Sequence, residues 1–436
     1  MAHSPAKKIV FLGGGSTQFA PTLIVDFIHS RELYGSTIVL VDTNEAKLNT
    51  IFRLGKRLLE AGRADFKLES TANRCDALAG ADFVIISVEV NRFPTWETDR
   101  RIPKEFGIEQ SLGENGGPGG LFHAMRQIPG IVEICQDVER ICPDALVLNL
   151  SNPMSRILQA VKDYTKVKII GLCHEIADGN AYLSSILEMP ESNLDVIAAG
   201  LNHFSWYLKI HDKQTGEDLY PKVRKLVPNN IHIDRLLVAD LLRLSNHLCV
   251  TSDSHVGEYL KDGHVWRTGW GPEMEPFDFF AYYLTYVKGI EERVQSLIAG
   301  EFPAEEYIEK RSGEIVTDII AAAVQGREQR FHAFNLTNDG YISNLPSACV
   351  VEVPGWVSGK RFGGEPVGHL PPVLAGWCHL QTAIHCLNAK AAVEGDRQAA
   401  LDALLLDPVV PDRLTAEQCL EAMLKANRAY LPRFFT

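Results

Sequence analysis

The stretch KIIGLCHEIADG, residues 168–179, closes an apolar run with Cys173, His174 and Glu175. A thiol, an imidazole and a carboxylate side by side are groups that bind metals or move protons. Further along, AAGLNHFSW supplies Asn202 and His203 after another apolar run, and upstream LVLNLSNP supplies Asn149, Asn152 and Pro153. A thiolate and an imidazole converging from two strand ends hold one divalent ion and leave coordination positions open for substrate oxygens. Spacing alone leaves a second account open: a buried thiol and a strand-end imidazole that only hydrogen-bonds.

A different chemistry stands near the start. KIVFLGGGSTQF puts Gly13, Gly14 and Gly15 where a strand turns into a helix, so that backbone N–H groups can approach a pyrophosphate, and Ser16 and Thr17 add hydroxyl donors. Gln18 occupies the position of the third glycine in G-x-G-x-x-G, so the fingerprint is incomplete. The second strand, VLVDTN, ends in Asp42, whose carboxylate can accept ribose hydroxyls and repel a 2′-phosphate. Strand, turn, helix and acid in that order favour dinucleotide binding, with NAD preferred to NADP, over a purely structural turn.

These residues need a scaffold. KKIVFL, STIVLVD, DFVIISV, ALVLNLS and KVKIIGLC alternate with helical patterns such as EAKLNTIFRLGKRLLEAG, which predicts a Rossmann-like, doubly wound parallel α/β sheet. After DVIAAGLNHFSWYLKI the alternation stops. Residues 228–330 read mainly as helices, HAFNLTNDGYISNLPSACVVEVPGWV as extended, and the segment from Pro371 onward as helical. The expected division is a nucleotide-binding domain over 1–190 and a mixed α+β substrate, metal and oligomerisation domain over 191–436. A net charge of −12 without a basic run makes nucleic acid an unexpected partner, and no uncharged apolar run approaches the roughly 18 residues of a membrane span. Nine cysteines without paired spacing suggest small buried thiols and a cytoplasmic setting.

Six blocks, KIVFLGGGST, SLGENGGPGGLFHAMRQIPGI, LNLSNPM, GLCHEI, GLNHFSW and NDGYISNLPSACVVEVPGWV, occur in that order over residues 8–357. The ordered set resembles the family-4 glycoside hydrolases. The resemblance implies a fold related to lactate and malate dehydrogenases, dependence on NAD and a divalent metal, usually Mn²⁺, and a homodimer or homotetramer. It also implies redox-assisted elimination: hydride leaves sugar C3, a side chain removes the acidified C2 proton, the aglycone departs, water adds, and the hydride returns. By resemblance Cys173 and His203 are metal ligands and Asn152 bonds the sugar near C2 and C3. His174 stands where phosphosugar-cleaving members carry Asn or Asp, which points to an unphosphorylated substrate.

The C2 base is expected at Asp253, with His255 and Tyr259 as neighbours in VTSDSHVGEYL and His174 completing the catalytic candidates. Glu175, Asn202 and Glu114 are expected to face the sugar, and the GENGGPGG connection reads equally as a flexible turn or as a closing loop carrying Asn115, His123 and Arg126. Asn338 is a further candidate. The expected activity is α-glucosidase or α-galacturonidase. The alternatives are a 6-phospho-glycosidase of the same family, a 2-hydroxyacid dehydrogenase and a non-enzymatic NAD sensor.

Overall fold

The computed structural model describes residues 6–230, 234–261, 263 and 278–435. Its strands are β1 Lys8–Leu12, β2 Thr37–Val41, β3 Lys67–Thr71, β4 Phe83–Ile86, β5 Leu146–Asn149, β6 Lys168–Gly171, β7 Leu194–Leu201, β8 Phe204–Asp212, β9 Gln329–Thr337, β10 Val350–Ser358 and β11 Arg361–Gly364. The first six lie parallel in the order β3-β2-β1-β4-β5-β6, the doubly wound arrangement that reverses between β1 and β4.

Continuous apolar runs suit these strands because both faces are covered. Ile9 and Phe11 of β1 pack with helices Ala20–His29 and Glu45–Ala61, whereas Val10 and Leu12 face helices Gly117–Ile141 and Met154–Tyr164. The edge strand β3, KLEST, was not expected: only Leu68 is buried, so the strand carries no apolar signature. Beyond β6 the sheet continues with antiparallel pairs. β9 meets β6 at Asn335 and Gly171, β10 pairs with β9 and β11, and β7 joins β10 and forms a hairpin with β8.

The position 190/191 falls between helix Glu175–Leu187 and β7. Sheet and core both run through it, since Ile384, Ala391 and Ala392 of helix Pro372–Glu394 share a core with Ile128 and Val132. The helical character expected over 228–330 is present in Leu236–Ser245, Phe279–Ala299 and Val316–Gln325, and its part at 264–277 lies outside the described residues. Among the described residues no helix is long and apolar enough to cross a membrane.

Candidate active site

The carboxyl ends of the parallel strands gather the chemistry. At β1, Gly13 has φ +94°, and a Cβ there would lie 1.9 Å from the Ser87 carbonyl oxygen, so only glycine fits. Asp42 ties the turn to β2: one oxygen accepts from Gly15 N–H at 3.0 Å and the other from Asn44 N–H at 2.8 Å. Each oxygen keeps a further lone pair for ribose. Ser16 braces the helix entry by accepting from Phe19 N–H, ahead of the first turn at Ala20.

Past the ends of β6 and β7, Cys173 Sγ lies 3.4 Å from His203 Nε2. His203 sits at the tip of the β7–β8 hairpin, between paired Leu201 and Phe204, with φ +59°. A bulky side chain at positive φ costs roughly 1–2 kcal/mol and marks a position chosen for its chemistry. Its ring meets His255 edge to face at 4.6 Å, and ligand atoms of Glu175, His203 and His255 all lie within 4.8 Å of one another. The Asn115 amide stands 3.2 Å from His203 Nδ1.

Electrostatics suits this corner to a cation. Burial, with the charge of His255, lowers His203 to about 4, so its ring is neutral at pH 7. Burial would raise Glu175, but His255 and His203 overcome it and hold the carboxylate at about 2. Burial and the nearby Glu175 and Glu352 push the Cys173 thiol well above its usual range. A neutral imidazole, an ionised carboxylate and a thiol lacking a counter-charge are a donor set that a divalent ion completes, because the ion stabilises the thiolate.

The supporting groups were largely not anticipated. Glu352, alone in the apolar strand VVEVPGWV, is buried behind Cys173 and accepts from Asn202, Ser205 and Asn335 at 3.0, 2.9 and 3.1 Å. Glu258 accepts the backbone N–H groups of Glu114, Asn115 and Gly116 at 2.6, 2.8 and 3.1 Å, and Asp407 accepts from Gly117 at 3.1 Å. The GENGGPGG segment is therefore buried and anchored in this conformation. Burial opposes ionisation of Glu114, yet the Arg92 guanidinium bonded to it and nearby imidazoles hold it at about 2. A charge within an apolar strand was the signal available for Glu352, and none distinguished Glu258 or Arg92.

The other expected residues are held by neighbouring groups. Asp253 is buried, and its oxygens accept from Leu237 and Val238 N–H at 2.9 Å, at the start of Leu236–Ser245. Asn202 is buried and donates to Glu352 at 3.0 Å. Asn338 closes its own loop through the carbonyls of Ile342, Leu345 and Pro346. Arg126 is buried in a pair with Asp99, also reaching Asn427. His123 bonds the Glu114 carbonyl at 2.8 Å and Glu89 at 3.0 Å.

Tyr259 is buried, its hydroxyl reaching the Asn202 carbonyl at 3.4 Å. Asn152 Oδ1 accepts from Met154 N–H at 3.3 Å at the end of β5. His174 is exposed between Glu314 and Asp178, and the hydrogen bond and charge of Glu314 raise it to about 9.

The chain is similar to known proteins over nearly its full length. Residues 8–189 match the family model described as Family 4 glycosyl hydrolase, and residues 198–410 match its C-terminal domain. An alpha-glucosidase of Erwinia rhapontici is 35% identical, with 98% of this chain and 99% of that protein covered. An alpha-galacturonidase of Lachnoclostridium phytofermentans is 27% identical, with 98% and 97% covered. The crystal structure of a 6-phospho-alpha-glucosidase from gut microorganisms, in complex with NAD and Mn²⁺, superimposes with a TM-score of 0.82 at 21% identity, covering 98% of this chain and 99% of that one.

Proposed function

The chain belongs to the family 4 glycosyl hydrolases, and we propose that it cleaves an unphosphorylated α-hexoside or α-hexuronide using NAD⁺ and a divalent ion such as Mn²⁺. The observation that carries this reading is the convergence of Cys173, His203, Glu175 and His255 at the strand ends, on the same sheet edge as the glycine turn. When bound, the nucleotide accepts and returns the C3 hydride and the ion polarises the sugar oxygens.

The rest belongs to the chain. Gly13 and Gly15 give the nucleotide a close backbone approach, Ser16 and Thr17 add donors, and Asp42 takes the ribose hydroxyls. Cys173 and His203 hold the ion, with Glu175 as a third donor. A half-turn of the Asn115 amide lets its oxygen accept from His203 Nδ1–H and leaves Nε2 as the ligating lone pair. Asp253 being a cap, His255 carries the C2 proton, oriented by Ser252 and Ser254 hydroxyls at 3.2 and 3.1 Å from its Nδ1. Asn152 aligns the sugar, and the exposed His174, one residue after Cys173, is a further substrate contact. Nine free thiols suit a reducing, cytoplasmic compartment.

The test is a panel of 4-nitrophenyl α- and β-glycosides assayed with NAD⁺, Mn²⁺ and thiol. Release of nitrophenol from an α-hexoside or α-hexuronide only when nucleotide and metal are both present supports the proposal. Release without nucleotide, or turnover of lactate or malate in its place, overturns it.

A further inference from the structure

Glu352 is the only charged residue of β10, VVEVPGWVS. A valine there would bury without the cost of taking a carboxylate out of water, so strand stability does not account for the acid. The side chain is 1% exposed, and among the described residues no lysine, arginine or histidine pairs with it.

What meets it is three donors. Oε2 accepts from the amides of Asn202 at 3.0 Å and Asn335 at 3.1 Å, and Oε1 accepts from the Ser205 hydroxyl at 2.9 Å. Two oxygens that only accept suit three converging donors, whereas a glutamine would set N–H groups against some of them.

The location of these donors gives the carboxylate its role. Asn202 stands between the end of β7 and His203. Asn335 of β9 is paired across the sheet with Glu352 on one side and with Gly171, the last residue of β6, on the other. Its amide also reaches the Gly171 carbonyl at 3.5 Å, and Cys173 follows two residues later. One oxygen, Oε2, thus joins the two strand ends that deliver Cys173 Sγ and His203 Nε2, 3.4 Å apart. Asn202 acts on the cysteine directly, since its side chain bonds the sulfur and favours the thiolate. Glu352 engages the nitrogen of that amide, so N–H and not the carbonyl is turned toward its acceptors.

We infer that Glu352 is a positioning residue of the metal site, which orients the Asn202 amide so that an N–H stays on the Cys173 sulfur. The inference rests on the metal reading of Cys173 and His203 above and goes beyond it to the group that orients them. Loss of such an outer partner costs roughly 10- to 100-fold in metal affinity.

The test follows metal binding and needs no turnover. Electron paramagnetic resonance of the free ion gives Mn²⁺ affinity, and the thiolate-to-metal charge-transfer absorption of Co²⁺-loaded protein reports on the Cys173 sulfur. E352Q should bind Mn²⁺ about 10- to 100-fold more weakly, shift the Co²⁺–thiolate band and keep wild-type NAD⁺ affinity. N202A should shift the band as well, and E352Q should cost far less in that background than in wild type, because Glu352 acts through Asn202. Losses that simply multiply in the double variant overturn the inference. So does a purely packing role, in which E352Q lowers thermal stability but leaves the band in place and weakens Mn²⁺ less than about fivefold. Should E352Q fold poorly, N202A decides: an unchanged band and affinity there overturn the inference. Wild-type protein without a Co²⁺–thiolate band overturns the metal reading of Cys173 together with this inference, whereas a wild-type band indifferent to both substitutions overturns this inference alone.

Discussion

Glu258 offers a test in which sign and size both follow from its surroundings. The side chain is buried, one oxygen collects three backbone N–H groups from Glu114, Asn115 and Gly116, and the other oxygen has no hydrogen-bond partner among the described residues. Burial first, and Glu114 second, raise the group from 4.5 to about 7 against the pull of His255 and the N–H donors. A carboxyl raised in the folded state keeps its proton where the unfolded chain has lost it, so stability falls as pH rises from 4.5 to about 7.

The full shift corresponds to ~3 kcal/mol. In a chain of this length, with unfolding entropy near 2 cal/mol/K per residue, that is ~3 °C in Tm. E258Q retains an acceptor for the N–H groups and does not titrate. The melting temperature of E258Q minus that of wild type, measured without metal, should therefore climb by ~3 °C between pH 5 and pH 8. E258A leaves the three N–H groups without an acceptor, at ~1–3 kcal/mol each, and should loosen Asn115 from His203 and weaken Mn²⁺ binding roughly 10-fold. A pH-independent difference for E258Q, or wild-type Mn²⁺ affinity in E258A by electron paramagnetic resonance of the free ion, would refute this reasoning.

Gly13→Ala should abolish NAD⁺ binding in calorimetry, since the added Cβ meets the Ser87 carbonyl at 1.9 Å, while Mn²⁺ binding persists. Cys173→Ser should weaken Mn²⁺ binding about 10- to 100-fold with NAD⁺ affinity retained, and wild type should lose activity on air oxidation and regain it with thiol and Mn²⁺. Asp253→Asn should lower stability by about 1–2 kcal/mol through the weakened cap yet keep C2 hydrogen exchange, whereas His255→Gln should suppress that exchange; the reverse pattern would return the base to Asp253.

The half of the fold built from continuous apolar runs was legible, because a strand covered on both faces writes its burial into every residue. KLEST was not, since an edge strand with one buried side chain resembles a loop. The proximity of Cys173 and His203 was expected because each stands just past the end of an apolar strand and the family resemblance pairs them. The groups that set their electrostatics were not legible. Glu258 and Arg92 reach Glu114 from distant positions, and Glu314 meets His174 from a segment 140 residues away. The engagement of Asp253 with Leu237 and Val238 was hidden for a related reason: an acid one residue after Ser252 suits a base or a cap equally until the partner helix is in view.

Hydrolysis of a 4-nitrophenyl α-glucoside in D₂O, followed by NMR of the released sugar, tests the central claim most directly. The account predicts deuterium at C2 of the product, no net build-up of NADH, and no turnover once either NAD⁺ or the divalent ion is removed. Hydrolysis that leaves C2 fully protiated and proceeds in nucleotide-free protein would contradict it.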